Sequence, residues 1–349
     1  MGLPPPSGAR RRGAARRGGR GRAIACEIDR GVGGGYPPGM LRPPPLRAGD
    51  VVRVIAPGSA FDPSAFEAGL GVLRGRLGLR PRFREDITAR EGYLAGDDRR
   101  RLEEWNEAVA DSEARAIFCA RGGYGATRLL PLIDLAPLRA RPRLLVGFSD
   151  VTALHALLNG AGLASLHGPV VTQLGRAPEE AVAHLEALLL GAAASRSGGP
   201  GGGLDGTATI RPGRASGPLL GGCLSLLATL CGTPWLPSFR GAILFLEDVG
   251  EPPYRLDRYL TQLAQSGALD GLAGVVVGQL AGCDKGEGDA AATVRDLVGG
   301  LGVPAIEGVP AGHEDRNLAL PLGPRATLVA PAPGEPGSPR LHFDEGATA

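Results

Sequence analysis

From residue 51 onward, short apolar runs alternate with segments whose apolar positions recur every three or four residues. Residues 51–56, 116–120 and 143–148 have strand length and are nearly continuous in Val, Ile, Leu, Ala and Phe, the pattern of strands covered on both faces. Residues 64–77, 99–111 and 126–133 carry helical periodicity between them. Strand and helix repeated in this way predict a parallel sheet with helices on both faces, a Rossmann-like α/β domain. Sites in such sheets lie beyond the carboxyl ends of the strands.

The pattern changes after residue 190. Residues 191–203 are almost entirely Gly, Ala and Ser, a composition that breaks regular elements and predicts a linker. Beyond it lie apolar runs at 242–246, 274–277 and 326–329, an amphipathic segment at 254–263 and a helix-like run at 220–230. This predicts a smaller, mixed and β-rich C-terminal domain. The expected organisation is an extension over 1–48, an N-terminal α/β domain over 49–190, a linker over 191–216 and a C-terminal domain over 217–349. No fixed-period repeat is present, and no apolar run reaches the ~18–20 residues that span a bilayer.

Composition adds one asymmetry. The 349 residues, 43% hydrophobic and 21% charged, suit a globular chain with two cores. Ten arginines against Glu27 and Asp29 give residues 1–48 a net charge of +8, so that the remainder carries −6 within a total of +2. An arginine-rich tail suits nucleic acid or an acidic surface. This one has no aromatic interleaving beyond Tyr36 and much Pro and Gly, which predicts disorder rather than a binding module. No apolar central region marks a cleaved signal, and Met40, just ahead of the first strand, reads as the natural start. Cys26, Cys119, Cys223, Cys231 and Cys283 are odd in number and contain no Cys-x-x-Cys pair. They read as reduced thiols of a cytoplasmic protein, neither a disulfide framework nor a zinc site.

The chemistry gathers at strand ends. Gly147-Phe-Ser-Asp150 closes one apolar run and opens a helix at once, so Ser149 occupies a sharp strand-to-helix turn, a nucleophile's position. The usual elbow ends in glycine, where Val151 stands here; the alternative is a serine or aspartate capping a helix. A serine nucleophile needs a base, and the base a group that orients it. Of five histidines, His155 lies too far along the following helix, His184 sits in an ordinary amphipathic pattern, and His342 falls in a frayed C-terminal region. His167 is a better candidate. His313, in a glycine-flanked polar loop, is better still. Glu247 and Asp248 end an apolar strand and are candidate orienting acids. The loop Arg121-Gly-Gly-Tyr-Gly125 lacks a complete dinucleotide fingerprint, since Arg128 fills its last place; its unhindered amides suit an oxyanion hole.

Several long stretches, in order, resemble the LD-carboxypeptidase family of serine peptidases, which includes the microcin C immunity peptidases. They are residues 54–59, 92–97, 119–131, 147–154, 166–169, 221–227 and 244–251, with the Gly312-His313 loop. The resemblance implies a Ser-Glu-His triad of Ser149 as nucleophile, His313 as general base and then acid, and Glu247 as the orienting acid in preference to Asp248 or Glu251. It also implies oxyanion donors from the amides of Asp150 and the glycine loop, Gly123 foremost. The implied activity is release of terminal D-alanine from cytosolic peptidoglycan tetrapeptides during murein recycling, by a homodimer, with no cofactor and no metal, and with neither nucleic acid nor membrane as partner. Alternatives are cleavage of a toxic aminoacyl or peptidyl nucleotide by the same triad, or a non-catalytic ligand-binding protein. Cys223 departs from the family, where many relatives carry asparagine.

Overall fold

The structure is a computed structural model that describes residues 39–191 and 202–349. Among these residues the strands form two sheets. The first is built from β1 (Val51–Ile55), β2 (Arg80–Arg82), β3 (Ala114–Cys119), β4 (Leu144–Gly147) and β5 (Ser165–His167). These five run parallel in the order β5-β4-β3-β1-β2. Their crossovers carry α1 (Pro63–Gly75), α2 (Asp98–Ala110), α3 (Ala136–Ala140) and α4 (Thr152–Gly160). Local chemistry starts the two longest: Asp62 accepts the amides of Ser64 and Ala65 ahead of Pro63 at the start of α1, and Asp97 accepts that of Arg100 in α2.

After α5 (Val171–Leu174) and α6 (Glu179–Leu189), the second sheet comprises β6 (Gly203–Asp205), β7 (Ala208–Arg211), β8 (Gly213–Cys223), β9 (Ile243–Val249), β10 (Gly274–Ala281) and β11 (Ala305–Glu307), with β13 (Arg325–Ala330) and β14 (Arg340–Phe343). Its order is β6-β14-β13-β8-β9-β10-β11-β7; β8 to β11 run parallel and the outer strands antiparallel. Helices α7 (Leu224–Thr229), α8 (Pro253–Gln265) and α9 (Ala290–Gly300) accompany it. The fold is thus α/β, a mostly parallel sheet with helices beside a mixed, strand-rich sheet.

Alternation along the buried strands divides the core. Ile243 and Phe245 of β9 join Val52 and Val54 of β1 in one cluster shared by both sheets. Leu244 and Leu246 face the opposite way, onto Leu256, Leu260 and Val294. Ile55 and Ile117 likewise meet Trp105 and Leu154 on the far side of the first sheet. Both neighbours of each pair are buried, which is why the strands read as unbroken apolar runs.

Four expectations change. The disordered extension was expected to reach residue 48, but Leu41 bridges Leu163 and Leu46 is buried, its amide on the Leu189 carbonyl; residues 1–38 lie outside the described residues. The linker expected over 191–216 carries β6, β7 and the start of β8 from Gly203 on, while 192–201 are not described. The domain boundary at 217 does not separate the sheets either, because β12 (Leu320–Leu322) pairs antiparallel with β5 and extends the first sheet. Finally, the run at 220–230 is not one helix: its first four residues finish β8. Among the described residues no helix is long and apolar enough to cross a membrane.

Candidate active site

Ser149 follows β4 with φ of 64°, the one positive φ on a non-glycine residue among the described residues. Left-handed backbone at an L-residue costs roughly 1–2 kcal/mol, and such strain persists where the surroundings enforce it. Here the chain turns from strand to a single 3₁₀ turn, Ser149–Val151, and directly into α4. Ser149 stays partly exposed while Phe148 and Asp150 are buried.

The glycine loop after β3 lies against this turn. A Cβ at Gly122 would stand 2.9 Å from Ser149 Cβ and 3.2 Å from the Asp150 amide nitrogen, so only glycine lets the two backbones meet. Gly123, with φ of +88°, backs onto Ser59, whose hydroxyl a Cβ there would approach to 2.4 Å. Ser59 in turn accepts the Tyr124 amide at 3.0 Å and donates its own amide to the Gly122 carbonyl at 3.0 Å. Sequence reasoning did not single out Ser59; its place two residues beyond Pro57, at a strand end facing the glycine loop, was the available signal.

The second sheet approaches through Gly222, where a Cβ would lie 2.5 Å from Thr152 Oγ1. That hydroxyl accepts the Cys223 amide at 3.0 Å. The contact sets the end of β8, and β9 beside it, against the start of α4. Glu247, near the carboxyl end of β9, is wholly buried, and its Oε2 accepts the His313 Nδ1 proton at 2.6 Å. The His313 ring packs edgewise on Phe148, the residue before Ser149, with centroids 4.8 Å apart. Burial pulls the His313 pKa down, but the charge and hydrogen bond of Glu247, with Asp248 behind, raise it above the ordinary value. Asp248, by contrast, accepts the amides of Ser225 and Val249 and caps the start of α7, and Glu251 pairs with Arg255 and Tyr259. Neither is joined to His313 among the described residues.

The His313 loop is held from both sides by amide side chains that sequence reasoning also missed. Asn317, fully buried, accepts the Gly312 amide at 3.0 Å and donates to Gln173 Oε1 at 3.1 Å. Gln173 donates to the Glu314 carbonyl, and Gln279 of β10 accepts the Glu314 amide and donates to the Arg316 carbonyl. Only a buried glutamine or asparagine at a helix or strand position would have hinted at this, and such residues are common.

The other histidines serve structure. His155 is buried and donates to the Gly147 carbonyl at 2.8 Å, with its pKa pulled down to about 4 by that burial. His167, the second candidate base, is buried between Phe148 and Phe245 with no partner on either nitrogen among the described residues. Burial, with His155 and His313 nearby, drives its pKa well down, so it is a neutral core ring. His184 donates to the Ala319 carbonyl. His342 is not in a frayed tail but pairs within β14 against Thr327 and Gly203.

Residues 52–168 match the LD-carboxypeptidase N-terminal domain and residues 216–328 the LD-carboxypeptidase C-terminal domain. The chain belongs to the LD-carboxypeptidase family. Membership of that serine-peptidase family makes it a hydrolase, and the Ser149 turn and the Glu247–His313 pair fall one in each family domain's matched span. A putative carboxypeptidase of Streptomyces coelicolor is 42% identical over 302 residues, covering 83% of this chain and 94% of the relative. A murein tetrapeptide carboxypeptidase of Pseudomonas aeruginosa is 36% identical over 289 residues, covering 79% and 92%. Among solved structures, a muramoyltetrapeptide carboxypeptidase from Oxalobacter formigenes superposes with a TM-score of 0.72 at 30% identity, covering 85% of this chain and 99% of that one.

Proposed function

We propose that this family member is a cytoplasmic carboxypeptidase that hydrolyses the L,D-peptide bond of peptidoglycan tetrapeptides and releases terminal D-alanine. Ser149 attacks the scissile carbonyl. His313, neutral at Nε2 because Nδ1 carries the proton donated to Glu247, takes the serine proton, and Glu247 stabilises the imidazolium that results. The developing oxyanion is held by the backbone amides of Asp150 and of the glycine loop, Gly123 foremost; such donors are worth ~3–4 kcal/mol each. His313 then protonates the departing D-alanine amine, and water, activated by the same imidazole, releases the acyl group from Ser149.

The observation that carries this reading is the 2.6 Å Glu247–His313 contact packed on the residue next to a strained serine. A buried carboxylate fixing one imidazole tautomer beside a serine on a strand-to-helix turn is what a hydrolytic triad requires. The choice of substrate rests on the kinship with enzymes named for murein tetrapeptides. Incubating the purified protein with tetrapeptide and, separately, with an aminoacyl sulfamoyl-adenosine tests the choice: D-alanine release with the first and no turnover of the second is expected. The reverse preference would assign the triad to an immunity function, and stoichiometric binding of either without turnover would leave a ligand-binding protein.

A further inference from the structure

Asp150 has two ends with different tasks. Its amide is one of the oxyanion donors assigned above, whereas its carboxylate turns toward Ala126 within a residue that is only 1% exposed. There Oδ2 accepts the Ala126 amide at 2.8 Å, while Oδ1 is buried with no hydrogen-bond partner among the described residues. The amide that closes the glycine loop is thus held by the carboxylate of the residue that follows the nucleophile. The same carboxylate closes on the end of β1: a Cβ at Gly58 would lie 2.7 Å from Asp150 Oδ2 and 2.6 Å from the Gly122 carbonyl oxygen. Arg101, its side chain wholly buried, seals the junction by donating to the Gly125 carbonyl at 2.8 Å and to the Pro57 carbonyl. Three strand ends, after β1, β3 and β4, therefore meet at one carboxylate.

From this geometry we propose that the Asp150 carboxylate is a positioning group, which ties the glycine loop to the Ser149 turn and so sets the distance between the two oxyanion donors. The inference rests on the serine-peptidase reading. It follows from the layout that loop and turn have no other side-chain tie of this kind among the described residues: Ser59 holds the far side of the loop, at Tyr124. The arrangement is costly to stability, which argues that something else retains it. Burial, outweighing the nearby amides of Ala126 and Gly125 and the charge of Arg101, pushes the Asp150 pKa up to about 6. The charged form present at neutral pH is therefore disfavoured in the folded protein relative to the unfolded chain. The stability deficit is absent below the unfolded carboxylate range and grows as pH rises through about 6.

The test uses Asp150→Ala, which removes the tie, and Asp150→Asn, whose amide oxygen can still accept the Ala126 N–H without the charge. Three quantities are measured at pH 8: kcat and KM for tetrapeptide, the rate at which a fluorophosphonate labels Ser149, and the melting temperature. Misplacing a reacting group by about 1 Å costs about 10²-fold. Asp150→Ala should therefore lose about 10²-fold in kcat with KM within about threefold, and Asp150→Asn about tenfold. Phosphonylation, which also builds negative charge in the oxyanion hole, should slow by the same factors. Asp150→Asn should melt no lower than the parent. Unchanged kcat and labelling in both variants would overturn the proposal, as would losses that merely follow a lowered melting temperature in Asp150→Asn. If the parent is labelled at Ser149 but releases no D-alanine, the substrate assignment fails while the labelling rates still decide the role of Asp150.

Discussion

Replacing Glu247 by glutamine isolates the orienting acid with little change of shape. Glu247 is wholly buried with Oε2 2.6 Å from His313 Nδ1, so the imidazolium formed when Ser149 is deprotonated faces a carboxylate screened from water. Charge centres about 4 Å apart at an effective dielectric of about 20 attract by about 4 kcal/mol, a factor of about 10³ in rate. A second loss adds to it. The glutamine amide offers Nδ1 a donor in place of an acceptor, which moves the imidazole proton to Nε2, the nitrogen that must receive the serine proton. The equivalent acid-to-amide change in serine proteases costs about 10⁴ in kcat. Glu247→Gln should thus lower kcat by about 10³ to 10⁴ and leave KM within a few-fold, read from D-alanine release coupled to D-amino acid oxidase. Its melting temperature should not fall, because burial already disfavours the Glu247 charge. A folded variant with kcat within tenfold of the parent would refute the orienting role.

Further outcomes follow from the same geometry. Since Glu247 raises the His313 pKa above 6.5 and the base must be neutral, the acid limb of kcat/KM should lie above pH 6.5 in the parent and move below it in Glu247→Gln; a pH–rate profile of each decides. Gly123→Ala would drive a Cβ to 2.4 Å from Ser59 Oγ at a φ of +88° and should cut kcat at least about tenfold by shifting the loop, with fluorophosphonate labelling slowed in parallel. Asn317→Ala leaves the Gly312 amide and Gln173 without their partner, which should cost about 1–3 kcal/mol in denaturant unfolding and lower kcat by loosening the His313 loop.

The parallel sheet was legible because its strands are largely covered on both faces: residues 51–55, 114–119 and 144–147 are buried and apolar apart from Arg53 and Arg115. The abrupt passage from Gly147 through Ser149 into α4 was legible for the same reason, as an apolar run that stops at a glycine and restarts with helical period. Other elements had no such signature. Residues 203–216 are strands through pairing with β14, β11 and β13 rather than through their own Gly- and Arg-rich sequence. The three residues of β12, one of them proline, become a strand through pairing with β5. At 220–230, leucine spacing imitated one helix, while Gly221 and Gly222 finish a strand that must pass close to Thr152. The contact between Glu247 and His313 spans 66 residues. No local pattern encodes it, and it was reachable only through resemblance. Gln173, Asn317 and the Asp150 carboxylate could not be singled out at all, because a sequence does not bring together their partners, which are backbone groups and, for Gln173 and Asn317, also each other.

The central claim is that a serine on this turn cleaves tetrapeptide through His313. Its most direct measurement is the release of free D-alanine from purified tetrapeptide by the protein and by Ser149→Ala. The account expects steady release by the parent and a loss of about 10⁴- to 10⁶-fold in the variant, with both proteins folded. Release by Ser149→Ala at the parent's rate would contradict it.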